Sequence, residues 1–257
     1  MRDPNRVRAQ AAAFRLLNEI GMPHPKLIEI EDLAMHRNVL VVEEAMKSSE
    51  GRLIKKGSNG LVRIKSGIRQ EGRKRFTISH ELGHWEMHKE STQFICSRRD
   101  MLDYAHSPME VEANTFAAEL LMPSTYFRPR CKVYEPSLAV ISDLANEFRT
   151  TLTATAIRFA TETRHPLVVV FSEEGVVRWS YSDPKKDLPY VRTGMAIPRY
   201  SSAGLINEEG EVNQMEEFDQ ADWFPQLSNS DRFGILEQSK GMGAYPFILS
   251  LLWLTGY

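Results

Sequence analysis

Five consecutive residues, His80-Glu81-Leu82-Gly83-His84, constrain this 257-residue chain more than any other feature. They sit inside Gln70 to His88, where Phe76, Ile78, Leu82 and Trp85 supply apolar positions and predict a helix. Four residues advance a helix by slightly more than one turn, so His80 and His84 project from one face. Two imidazoles at that spacing can share a Zn²⁺ ion. Glu81 lies beside them, where the carboxylate of an H-E-x-x-H helix acts as general base toward an attacking water. The apolar flanks argue against a surface helix with two incidental histidines, and Gly83 leaves room for close packing.

A catalytic zinc needs a third protein ligand and one open position. The downstream candidates are His88, His106, Glu110 and Glu112. The ring of His88 would have to reach back about 6 Å along the helix axis. Glu110 is the better choice, because it opens a second predicted helix, Glu110-Val111-Glu112-Ala113-Asn114 onward to Leu121. Glu110, Ala113, Asn114, Ala117 and Leu121 form one stripe at helical spacing. The alanines would let this helix approach the first closely. Asn114 is placed to hold the second nitrogen of a ligand histidine. Glu112 points about 200° away from Glu110 around the helix; it and Glu119 are expected to be solvated charges.

Cys96 falls between the two motifs. Its thiolate could fill the open zinc position and silence the site, and Arg98 and Arg99 would favour that ionisation. The alternative is a buried cysteine beside Phe94 and Ile95. Cys131 is read as structural. With only two cysteines there is no disulfide scaffold, which favours a reducing compartment.

Around these motifs the pattern predicts helices over 4–20 and 28–37, and strands in NVLVVEE, GRLIK and NGLVRIK. One or two helices are expected over 137–161, then a β-hairpin, LVVVF-SEEG-VVRWSY, and further strands in FGILEQ and FILSLLWL. The acidic stretch Glu208 to Asp222 reads as a loop. A change of texture at His165-Pro166 marks a boundary.

TISHELGHW followed by EVEANTFAAELLMP resembles the ImmA/IrrE family of zinc metallopeptidases, in both motifs, their order and their separation. The resemblance covers about residues 5–165 and is weak beyond. It implies an α+β, gluzincin-like minimal zinc peptidase with a small mixed sheet and helix-turn-helix-like helices. His80, His84 and Glu110 would be zinc ligands and Glu81 the catalytic base. It also implies a smaller α+β sensor-like (GAF-like) module after the peptidase. The expected division is 1–165 peptidase and 166–257 regulatory. The implied substrate is a helix-turn-helix repressor, cut to relieve repression in a stress, mobile-element or phage-defence operon.

Charge adds a candidate activator. The formal net charge of −2 hides a balance of +4 over residues 1–165 and −6 over 166–257. Arg52 to Arg75 holds nine basic residues against Glu71 alone. Such a cluster, with Trp179, Tyr181, Tyr190, Trp223 and Phe224, would suit single-stranded DNA; a solvated face and a packed core are the plain alternatives. A rival function is a DNA-binding regulator with a structural metal site, resting on the helix-turn-helix pattern of 138–161. Its second helix offers only Arg158 to phosphates. The amino terminus lacks a secretory signal's apolar core. The longest apolar tract, Phe247 to Leu254, is too short for a bilayer span. A soluble, cytoplasmic protein is therefore expected.

Overall fold

The computed structural model of the chain describes residues 4–97, 100, 107–206, 215–227, 233–242 and 247–257. Its architecture is mixed α+β, and packing divides it into two compact units: residues 1–127 with 145–151, and residues 128–144 with 152–257. This division of packing differs from a single cut near residue 165, because the segment from Arg128 and the helix after Thr151 pack with the carboxy-terminal sheet.

The first unit begins with helices α1 (Arg6–Glu19) and α2 (Ile30–His36). Strands β1 (Val39–Glu44), β2 (Gly51–Lys56), β3 (Asn59–Lys65) and β4 (Gln93–Cys96) form a sheet in the order β1-β3-β2-β4. β1 runs parallel to β3, while β2 is antiparallel to β3 and β4. Helix α3 (Glu71–Met87) packs on this sheet, on α1 and on α4 (Pro108–Leu121). α4 starts at a proline, which suits a first helical turn, and Pro123 follows its end. Within α3, Arg75 to Trp85 is buried on every side. A helix so enclosed must find internal partners for its polar side chains, and this requirement creates the site.

The helices read from the pattern correspond closely to α1, α2, α3 and α4. Strand β4 and the short helix α5 (Ser124–Arg130) were not anticipated. β4 has four residues and gains its strand character by pairing with β2, some forty positions earlier, which no local pattern reveals.

Helices α6 (Leu138–Phe148) and α7 (Leu152–Glu162) are separated by a turn at Arg149, which has a positive φ of 53°. In the second unit the sheet comprises β5 (Leu167–Glu173), β6 (Val176–Ser182), β7 (Glu216–Phe218), β8 (Gly234–Gly241) and β9 (Phe247–Thr255). The order is β6-β5-β9-β8-β7, all antiparallel. Glu174 and Gly175 make the β5–β6 turn with φ of 51° and 74°, as a tight hairpin demands. Val168, Val170, Val177, Trp223, Phe224 and Leu252 share one core. α7 also packs on β5, so that strand is buried along nearly its whole length, hence its run of apolar residues.

The expected acidic loop from Glu208 to Asp222 is corrected in its second half: β7 and a helical turn, α9 (Gln220–Trp223), lie there, while 207–214 fall outside the described residues. A further turn, α8 (Ser202–Leu205), precedes them. Edge pairing with β8 and the buried Trp223 outweigh the local acidity. Among the described residues no helix is long and apolar enough to cross a membrane.

Candidate metal centre

Four side chains converge between α3, α4 and β4. His80, His84, Cys96 and Glu110 each offer one ligand atom, and these atoms all lie within 4.8 Å of one another. His80 Nε2 is 3.1 Å from His84 Nε2 and 3.0 Å from Glu110 Oε2. His84 Nε2 is 3.4 Å from Glu110 Oε1 and 3.6 Å from Cys96 Sγ. Zinc bonded tetrahedrally to nitrogen at about 2.0 Å and sulfur at about 2.3 Å separates its ligand atoms by roughly 3.3–3.6 Å. The observed spacings and the N, N, O, S donor set therefore fit such an ion.

The local structure explains the convergence. The one-turn spacing stacks His80 and His84 along α3, with ring centroids 4.8 Å apart. Gly83 permits α4 to come close: a Cβ there would stand 3.0 Å from Ala113 Cα. Glu110, in the first turn of α4, then reaches both imidazoles. Phe94 of β4 stacks on His84 at a centroid distance of 4.0 Å, and Cys96, two residues on, turns inward from the same face of the strand.

Hydrogen bonding leaves the converging atoms as lone pairs. Asn114 Oδ1 lies 2.8 Å from His80 Nδ1, and Asn114 Nδ2 donates to the Asp100 carbonyl. An amide oxygen only accepts, so the His80 proton sits on Nδ1 in the neutral ring and Nε2 is bare. Burial opposes a charge on His80, but the hydrogen bond and charge of Glu110, with the charge of Glu81, outweigh it and raise its pKa. Burial likewise opposes the charge of Glu110, and the two histidines overcome it, holding its carboxyl below the usual carboxylate range. His84 behaves differently: burial holds its pKa down to about 3.

Glu81 is fully buried, and burial pushes it up to about 7. The Cys96 thiol lies alongside, and among the described residues neither carboxylate oxygen has a hydrogen-bond partner. Gly51, the first residue of β2, backs this carboxylate so closely that a Cβ there would collide with Oε1. Burial, reinforced by the charges of Glu81 and Glu110, pushes the Cys96 thiol far up. Arg98, Arg99 and His106 lie outside the described residues.

Two expectations are corrected. Glu112 and Glu119 are buried rather than solvated. Glu112 accepts the Asn5 N–H at 2.7 Å and faces His88, whereas Glu119 holds the Ser124 N–H and hydroxyl at the start of α5. α4 is packed on two sides, by α3 and α1, so the face opposite Glu110 is interior as well. His88 stands behind His84, outside the four-atom cluster. Lys55, which the sequence reading did not single out for this purpose, donates to the His84 and His88 carbonyls and closes the end of α3.

The basic cluster is largely engaged. Arg63 pairs with Glu44, Arg73 with Glu50, and Lys74 with Glu31 and Glu43. Arg75 is buried against the Ile28 and Pro25 carbonyls. On α7, Arg158 is 4% exposed and paired with Glu162, so that helix does not present it to a nucleic acid. Of the five aromatic residues weighed for base stacking, Trp223 and Phe224 are core, Trp179 stacks on Phe171, Tyr181 bonds Thr161, and Tyr190 is exposed.

Residues 34–160 match the family Peptidase_M78, described as IrrE N-terminal-like domain. Over 65 residues, a quarter of the chain, it is 40% identical to the uncharacterized immunity region protein 2 of Bacillus phage phi105. The matched part spans 39% of that relative. A solved structure of a Mycobacterium tuberculosis transcriptional regulator is similar with a TM-score of 0.66 and 17% identity, over 95% of this chain and 75% of that one. At that identity the likeness is one of fold.

Proposed function

Through residues 34–160 the chain belongs to the Peptidase_M78 family of IrrE N-terminal-like domains, and on that premise we propose that it is a zinc-dependent endopeptidase. One observation carries the reading: a buried carboxylate, Glu81, with unpartnered oxygens, stands beside four side chains whose donor atoms are spaced for zinc. His80, His84 and Glu110 would hold the ion, in the manner of a gluzincin. When bound it supplies Lewis acidity for amide hydrolysis. Glu81 accepts the proton of the attacking water and delivers it to the leaving amine. Asn114, 2.8 Å from His80 Nδ1, would keep the other nitrogen of that ring free for the ion.

Cys96 would be the fourth donor. On this reading it closes the site, and activation withdraws it. The substrate is a helix-turn-helix repressor whose cleavage relieves repression in a stress, mobile-element or phage-defence operon. An immunity-region relative of a phage and the fold of a transcriptional regulator support a regulatory setting. Residues 1–165 carry the chemistry and 166–257 regulate it; the antiparallel second sheet supports a sensor-like, GAF-like role. Single-stranded DNA is the proposed activator, with Arg52, Lys56, Lys65 and Arg69 of the basic segment to meet it. Two free cysteines support a cytoplasmic setting.

The test is incubation of the zinc-loaded chain with the candidate repressor, with and without single-stranded DNA, read by mass spectrometry. Glu81→Gln should keep its zinc and lose cleavage by about 10²–10⁴-fold. Retained cleavage in that variant would overturn the mechanism. Cys96→Ala should raise cleavage without DNA; unchanged basal activity at full zinc occupancy would sink the closing role of Cys96.

A second reading has one observation in its favour. A closed set of four donors is the pattern of a structural zinc site, which would suit a DNA-binding regulator. Glu81 separates the two, since a structural site has no use for a buried base.

A further inference from the structure

We propose that His88 and Glu112 are positioning residues for the metal centre, fixing the tautomer of His84 through a relay that ends at the backbone of Asn5. The proposal rests on the zinc reading above.

The relay is continuous and buried. His84 Nδ1 is 2.9 Å from His88 Nδ1, and His88 Nε2 is 3.0 Å from Glu112 Oε2. The other oxygen, Glu112 Oε1, accepts the Asn5 N–H at 2.7 Å. His88 and Glu112 are 8% and 2% exposed.

Its protons can be placed by elimination. Glu112 already accepts the Asn5 N–H through Oε1, and a carboxylate oxygen facing a ring nitrogen is the acceptor of that contact. The His88 proton must therefore sit on Nε2. A neutral imidazole carries one proton, so His88 Nδ1 is an acceptor. The only donor left for the contact between the rings is His84 Nδ1–H. His84 Nε2 is then bare, and its lone pair points at His80, Glu110 and Cys96. Reversing any one assignment sets two lone pairs, or two N–H groups, against each other at about 3 Å.

The two ligand histidines are thus held differently. His80 leans on an amide, whereas His84 leans on a second imidazole backed by a carboxylate. Phe94 fixes the face of the His84 ring, and the relay fixes its rotation. The end of the relay sits at the start of α1, so the docking of that helix is tied to the metal ligand 79 positions away. His88 is therefore not an alternative ligand but the support of one.

The experiment measures zinc affinity of the full chain by competition with a chromophoric chelator, with ¹⁵N spectra of the histidine rings. His88→Phe should keep the stacking and weaken zinc binding 10–100-fold. His88→Gln can accept from His84 and donate to Glu112, and should restore affinity to within about threefold of wild type on that scale. In the wild-type protein the ring spectra should show His84 protonated on Nδ1 and His88 on Nε2.

A folded His88→Phe that binds zinc as tightly as wild type overturns the proposal. So does a wild-type His88 protonated on Nδ1. If His88→Phe does not fold, the wild-type ring spectra and Glu112→Gln, expected to weaken zinc measurably, decide. A wild-type chain that binds no zinc would overturn the zinc reading and the relay together, whereas an intact wild type with indifferent variants removes the relay alone.

Discussion

Gly51 lies so close to the Glu81 carboxylate that the absence of a side chain there makes room for it. A Cβ at this position would meet Glu81 Oε1 and, at 3.0 Å, Thr77 Cγ2. Gly51→Ala should therefore cost about 1–3 kcal/mol of stability and displace the carboxylate. Thermal melts and peptide cleavage check it; wild-type activity in that variant would show that the base has slack. His80, His84 and Glu81 were legible as a set because helical periodicity acts over one turn. Glu110 and Asn114 were legible for the same reason, once the second helix was read. Gly51, His88 and Glu112 were not. Their roles depend on which strand passes behind Glu81 and on what covers the far side of α4. Glu112 was expected in water because its direction around an isolated helix is knowable, while the presence of α1 in that direction is not.

At the scale of elements, the approach of α3 to α4 brings Glu110 to the histidines. Gly83→Ala would press on the Ala113 backbone at 3.0 Å and the Phe116 Cβ at 3.2 Å. The helices must part, so the variant should lose about 1–3 kcal/mol of stability and bind zinc more weakly. Unchanged zinc affinity would show that the helices adjust without moving Glu110. In the second unit, Glu237 of β8 plays a comparable fastening role. It accepts from Trp223 Nε1, the Ala203 N–H and the Ser239 hydroxyl, each at 2.8 Å, tying α8 and α9 to the sheet. Burial raises its pKa, against the pull of those donors. The folded chain then holds the proton more tightly than the unfolded chain. That stabilisation is complete below the ordinary glutamate range and is lost as pH rises through the raised value. The melting temperature of wild type relative to Glu237→Gln should fall across that window, and a difference independent of pH would contradict it.

For the molecule as a whole, zinc should be a stabilising ligand, since its four candidate donors come from elements separated in sequence. Saturation at 1,000 times the dissociation constant adds about 4 kcal/mol. Chelation should therefore lower the melting temperature, and re-addition of zinc should restore it; indifference to chelator would mean that the cluster holds no metal. The order of most helices and strands, the hairpin at Glu174-Gly175 and the candidate donors His80, His84 and Glu110 were legible in the amino-acid sequence, because each expresses a preference acting over a few neighbours. The tertiary structure alone decided the rest. It brought Cys96 within 3.6 Å of His84 by pairing β4 with β2. It placed His88 and Glu112 behind His84 by packing α1 on α4. It also set Glu31, Glu43, Glu44 and Glu50 against a basic run that looked unopposed. Charges, lone pairs and close contacts act through space, and only the folded chain brings residues so far apart in sequence within their reach.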